Sequence, residues 1–293
     1  MACLFSTVSD RRPRSSVGSA AYHPRRLGWT VGAFAVVVPL VLACGPSRGA
    51  QAMTPGDPAR QSEGEYDLAR EAFLTRHDAR GAIGHVLKAL DLDSDNAEAA
   101  HFASLIYLYF CSTSPVDCHF DQAEKYARMA VRSKNNFREA QNTLGVVLIN
   151  ENRFAEAIQV LEPLTRDIQY ATPETAWGNL GWAYLMAGDT DRAVDALGHS
   201  VALQPEFCVG NYRLGLAYEK KNDLRSARGS LTRALETDRP ECKGLQDAYA
   251  ARARVELRMG ELDGARADLE RCRTLGDSSS AGRECAALMA KLK

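Results

Sequence analysis

A pattern that returns every ~34 residues is the strongest constraint on what this chain can fold into. The segment Glu174–Phe207 reads ETAWGNLGWAYLMAGDTDRAVDALGHSVALQPEF. Counted from Glu174 as position 1, Trp177 stands at 4, Leu180 at 7, Gly181 at 8, Tyr184 at 11, Ala193 at 20, Leu197 at 24, Ser200 at 27 and Pro205 at 32. The spacing predicts two antiparallel helices per unit. Small residues at 8 and 20 let the two helices approach closely, and large ones at 4, 7, 11 and 24 fill the space between them. A small residue at 27 admits the next unit, and proline at 32 stops the second helix.

The pattern recurs on both sides. Residues 208–241 carry Leu214-Gly215, Tyr218, Ala227, Leu231 and Ala234, and residues 138–171 carry Leu144-Gly145, Leu148, Ala157 and Leu161. Residues 63–96 carry Tyr66, Phe73, Ala82, Val86 and Ala89. A further copy over 97–137 has a lengthened turn, CSTSPVDC, and a degenerate one over 246–278 carries Tyr249, Ala253, Gly260, Ala265 and Leu269. These residues resemble the tetratricopeptide repeat (TPR). The expected fold is all-α: a right-handed superhelical solenoid of about six helix-turn-helix repeats. Residues 279–293 are expected to form a C-terminal capping helix, which a solenoid needs to cover its last apolar face.

Ahead of the repeats lies an export signal. Residues 1–43 hold five arginines and one acid, and the apolar run Leu27–Ala43 ends at Val41-Leu42-Ala43-Cys44. A basic stretch, an apolar stretch and a small residue before the cut describe a signal peptide over 1–43. A cysteine straight after the cut resembles a bacterial lipobox, which makes Cys44 the lipidation site. Residues 44–62 are then expected to be a flexible, lipidated tether. Gly45, not being Asp, favours the outer membrane, facing the periplasm. The same residues also fit a signal cleaved without lipid, or an uncleaved helix anchor. The full chain has a net charge of -1, and with +4 in the signal the remainder is mildly acidic, so nothing points to nucleic acid.

Export agrees with the cysteines, since disulfides persist outside the cytoplasm. Cys111 and Cys118 bracket the lengthened turn and can close it. Cys272 sits at the small position 27, facing the capping helix that carries Cys285. Cys208 and Cys242 begin first helices one repeat apart, and the extra residues after 241 must bend the chain inward for them to meet. Free buried thiols are the alternative. A metal site at Cys111, Cys118 and His119 lacks tetrahedral zinc spacing and a fourth ligand, so no metal is expected.

First helices of such an array line its concave face. Positions 2, 5, 9, 12 and 13 place Leu105, Tyr109, Asn142, Val146, Ile149, Trp182, Leu185, Met186, Tyr212 and Leu216 there. A groove of this composition suits an apolar segment or amphipathic helix of a partner protein. No nucleophile motif, phosphate loop or metal spacing occurs, so no enzyme activity, cofactor or small-molecule substrate is expected.

A lipobox followed by six such hairpins resembles the type IV pilus pilotins, the Tgl/PilF/PilW family, and its Tgl branch in particular. The residues that carry this are FCSTSPVDCHFDQAEKYARMAV with its cysteine-bracketed turn, ETAWGNLGWAYLMAGD, PEFCVGNYRLGLAY and the Cys272/Cys285 pair. The resemblance implies an outer-membrane lipoprotein that promotes assembly or localisation of the pilus secretin, its protein partner, and so supports surface motility. A general envelope adaptor that recruits cell-wall enzymes or outer-membrane assembly factors is the second reading.

Overall fold

The computed structural model describes residues 56–292. Among these residues there are thirteen α-helices and no strand. They pair as hairpins: α1 (Pro58–Leu74) with α2 (Ala79–Leu92), α3 (Ala97–Thr113) with α4 (Phe120–Ser133), and α5 (Arg138–Asn150) with α6 (Phe154–Thr165). Then follow α7 (Pro173–Met186) with α8 (Thr190–Leu203), α9 (Cys208–Lys220) with α10 (Leu224–Glu236), and α11 (Gln246–Met259) with α12 (Leu262–Leu275). The last helix, α13 (Ser280–Lys291), packs on both α11 and α12. Each helix touches its chain neighbours, and α3, α5, α7, α9 and α11 also touch in series, which is the stacking of a solenoid.

The close approach predicted at position 8 is visible atom by atom. A Cβ on Gly145 would stand 2.5 Å from Leu161 Cγ, one on Gly181 2.6 Å from Leu197 Cγ, and one on Gly215 2.5 Å from Leu231 Cγ. Leu161, Leu197 and Leu231 are fully buried. Each glycine therefore forms the hole into which the leucine of its own second helix fits.

The turns inside the hairpins share a device. His77, Asn152, Gly188, Asn222 and Gly260 all have positive φ, between 55° and 89°. Each stands at position 15 of its repeat, where one left-handed residue closes the first helix. In three hairpins Asp then caps the second helix: Asp78, Asp189 and Asp223 accept from the N–H groups of Gly81, Arg192 and Ser226. The second hairpin has the inserted loop instead. There Cys111 is bonded to Cys118, and Asp117 accepts from Ser114 Oγ at 2.8 Å and pairs with Arg80 of α2 at 2.8 Å.

Cys208–Cys242 and Cys272–Cys285 are also joined, with Cα–Cα distances of 5.9 and 6.3 Å. The first becomes possible because Pro240–Cys242 form a short 3-10 turn in the linker before α11. The second fixes α13 to α12. Arg254 of α11 adds a further tie, donating to Glu219 of α9 at 2.8 Å and to Glu284 of α13 at 2.6 Å.

The tether boundary at residue 62 needs correction. Helix α1 already starts at Pro58, because the Asp57 side chain accepts from the Ala59 N–H and proline suits a first helical position. Ser62 is fully buried and accepts from Asn96 Nδ2 at 2.9 Å, so this extra turn is docked on the array. The signal segment 1–43 and Cys44 lie outside the described residues.

Candidate partner-binding cleft

The first helices of hairpins two to five enclose a cleft of about 290 Å³. Leu105, Leu108 and Ser112 of α3 form one wall. Glu139, Asn142, Thr143 and Val146 of α5 form the floor, Thr175 and Asn179 of α7 continue it, and Arg213 of α9 closes the far wall. Positions 2, 6 and 9 follow one another at helical i, i+4, i+7 spacing, so a single stripe of each helix faces the opening.

A chain of hydrogen bonds runs along the floor. Arg213 Nη1 donates to Asn179 Oδ1 at 2.8 Å, and Asn179 Nδ2 donates to Asn142 Oδ1 at 3.0 Å. Arg213 also reaches the Gly178 carbonyl at 3.1 Å and lies over the Trp182 ring at 5.3 Å. The chain points from α9 towards α5. Asn142 accepts at its oxygen and lines the cleft.

Beside it, His101 Nε2 shares a 2.9 Å hydrogen bond with Thr143 Oγ1, and its ring meets Phe137 edge-on at 5.0 Å. Burial lowers the His101 pKa to about 4, against the weaker opposite pull of Glu98. The imidazole is therefore neutral near pH 7. A lowered histidine pKa means that the unfolded chain binds the proton first. Stability from this residue is complete above the ordinary value of 6.5 and falls as pH drops from 6.5 towards 4. Replacing His101 by Asn is expected to remove on the order of 3 kcal/mol of this acid sensitivity, read as a flatter dependence of urea midpoint on pH between 7 and 4. An unchanged slope overturns the assignment.

The residues expected in the groove do not all reach it. Leu105, Asn142 and Val146 line the cleft. Ile149 and Leu185, as buried as Leu105, do not line it and pack in the core between first and second helices. They stand one turn after Gly145 and Gly181, on the same stripe that packs against the second helix. Tyr109 turns towards the first hairpin, its ring 5.1 Å from that of Phe73. Tyr212 and Leu216 pack half-buried against Ala227, Leu231 and Val255, and burial pushes the Tyr212 phenol up to about 12. Trp182 is half-buried under Arg213, and Met186 is exposed at the end of α7.

Position 6 is what the sequence reasoning missed. Thr143, Asn179 and Arg213 occupy it and supply most of the polar floor. Three polar residues at one register, beside the apolar Leu-Gly pair at 7 and 8, were the available signal. Two aliphatic side chains stand out on loops near the ends of the cleft: Val116, 89% exposed, four residues from Ser112, and Ile168, 98% exposed, two residues from Tyr170.

A family model for the tetratricopeptide repeat matches residues 144–202 and 212–279. The fold is a tetratricopeptide-repeat solenoid. A search of curated proteins finds no match. Among solved structures, PilW, described as a widely conserved type IV pilus biogenesis factor, is 23% identical. The likeness covers 78% of this chain and 98% of PilW, with a TM-score of 0.64. The pilF protein of Pseudomonas aeruginosa is 18% identical over 79% of this chain and 99% of its own, with a TM-score of 0.59. A chain of the APC/C hetero-tetramer Cut9-Hcn1 reaches 0.66 at 15% identity, but this chain covers only 43% of it. At these identities the likeness establishes the TPR architecture. Among the described residues, no cluster of His, Cys, Asp and Glu could hold a metal ion, and no helix is long and apolar enough to cross a membrane.

Proposed function

We propose that this TPR array is a pilotin-like scaffold of the cell envelope, which takes a segment of the type IV pilus secretin in its concave cleft and promotes secretin assembly. The observation that carries this is the cleft itself, built jointly by α3, α5, α7 and α9. The end-to-end correspondence with PilW and pilF, at 98% and 99% of their lengths, supports the choice of process. Lipid on Cys44 delivers the scaffold to the inner face of the outer membrane, where the secretin must be assembled.

The test is deletion of the gene, followed by gels for heat-resistant secretin multimers and by a surface-motility assay. Loss of multimers with the secretin monomer still present is the expected result, and a Cys44→Ala variant is expected to leave the membrane fraction and restore multimers poorly. Normal multimers in the deletion strain sink the proposal. A pull-down that then returned cell-wall hydrolases without secretin points to the general adaptor.

A further inference from the structure

Position 11 of the repeat is a core position. Phe73, Tyr107, Leu148, Tyr184 and Tyr218 hold it in the first five hairpins. In the sixth the residue is Glu256 of α11, and it is still buried, only 8% exposed. Its Oε2 is shut away from solvent and has no hydrogen-bond partner, so no N–H of the neighbouring α12 donates to it. Room for the carboxyl comes from α12, where a Cβ on Gly264 would stand 2.9 Å from Oε2 and 3.2 Å from Oε1.

The charged groups that act on Glu256 belong to three helices. Asp268, 5% exposed, and the N-cap residue Glu261 come from α12, Arg228 from α10, and Arg252 from α11 itself. Both guanidiniums are engaged with other carboxylates. Arg252 grips Asp268 with two hydrogen bonds of 2.6 and 2.7 Å and donates to Thr232 Oγ1 of α10 at 3.2 Å. Arg228 pairs with Glu261. Two cations therefore meet two carboxylates before Glu256 is counted. The group is balanced when Glu256 carries a proton and holds one surplus negative charge when it does not, and a buried charge without a partner is costly. Burial raises the Glu256 pKa above the ordinary 4.5, Asp268 and Glu261 push the same way, and Arg252 and Arg228 oppose them.

This group sits where the sixth hairpin meets the fifth. We propose that Glu256 is a proton-sensitive hinge at that junction: protonated, it lets α11, α12 and α13 dock on α10, and ionised, it loosens them as a unit while Cys208–Cys242 keeps them attached. The inference rests neither on the concave cleft nor on secretin as the partner. A carboxyl whose pKa is higher in the fold than in the unfolded chain holds its proton more tightly when folded. Stability from the docked hairpin is therefore complete below 4.5, falls as pH rises from there through the raised value, and is level above it. His101 acts in the opposite sense on α3 and α5, so the two effects separate by position.

The experiment follows hydrogen exchange of the full chain in detergent from pH 5 to pH 8, expressed as protection factors helix by helix, with α7 and α8 as the internal reference. Protection in α11, α12 and α13 is expected to fall about tenfold against that reference as pH rises. Glu256→Gln keeps the shape without the charge and is expected to level the profile. Glu256→Tyr, which installs the residue type of Tyr184 and Tyr218, is expected to level it too. Carbon-13 NMR of labelled glutamate carboxyls reads the proton itself: the signal present in the parent and missing from Glu256→Gln is expected to titrate above 4.5. A level profile in the parent, a fall that survives in both variants, an equal loss in α7 and α8, or a Glu256 signal that titrates at 4.5 overturns the inference. No pilus component enters these measurements, so their failure and a failure of the secretin assignment are separate results.

Discussion

Replacing Cys208 and Cys242 together by serine is expected to cost about 4 kcal/mol, the largest loss from any one crosslink in the chain. The bond closes a loop with a sequence separation of 34, against 13 for Cys272–Cys285 and 7 for Cys111–Cys118, and the chain entropy released on cutting grows with loop length. Its position sharpens the effect. Between α10 and α11 the chain runs from Thr237 to Leu245 with only the short turn Pro240–Cys242, so the last three helices follow a non-helical linker. Their non-covalent ties to the rest include the apolar contact of Val255 and Ala251 with Leu231, and Arg254 with Glu219. Hydrogen exchange in the variant is therefore expected to quicken first in α11, α12 and α13, with α3 to α8 little changed, because repeat arrays lose cooperativity at weakened junctions. Dithiothreitol is expected to reproduce the pattern in the parent protein and to change the variant less. Uniform exchange along the whole array, or a midpoint equal to the parent's, removes this account of the junction.

The second large effect belongs to the glycine holes. Leu161→Ala is expected to cost about 3 kcal/mol, since a fully buried leucine is cut back to a methyl group. Gly145→Ala alone is expected to cost about 2 kcal/mol. The new Cβ would meet Leu161 Cγ and Cδ2 at 2.5 Å and Cδ1 at 2.9 Å, which outweighs the roughly 1 kcal/mol gained from better helix propensity. The double variant is the informative one. All three close atoms belong to Leu161, so removing that side chain removes the clash, and the new methyl fills part of the cavity. The pair is expected to cost about 2 kcal/mol less than the sum of the singles, measured by urea unfolding of all four proteins. Additive losses mean that the glycine and leucine do not form one unit. At Gly181 and Gly215 a backbone atom also stands close, Leu197 N at 3.0 Å and Ala227 O at 3.3 Å, so the same cycle there is expected to show a smaller coupling.

These contacts also show why the hairpins were legible beforehand. A requirement for glycine against leucine, repeated at fixed spacing, leaves a mark in composition that a single contact does not. Paired cysteines leave one too, because the repeat register already limits which thiols come near each other. The start of α1 left a weaker mark. Asp57-Pro58 is an N-terminal signature, but it sits in a polar stretch that lacks the repeat pattern, and the burial of Ser62 depends on Asn96, 34 residues away.

For the candidate cleft, sequence alone identified which helices face inward and which composition they carry. It identified Leu105, Asn142 and Val146 because they lie on the inward stripe by register. It did not separate them from Ile149 and Leu185, because the direction of position 12 depends on how far each first helix rolls against its own second helix. That roll is set by packing between elements distant in sequence, such as Gly145 on Leu161. Nor does register alone reveal the line from Arg213 through Asn179 to Asn142, which crosses three repeats and exists only once they are stacked. Periodicity by itself determined the helices and their pairing, since both follow from local spacing. The depth of the cleft and the polarity of its floor were decided by the tertiary structure, since they depend on the distances between neighbouring first helices.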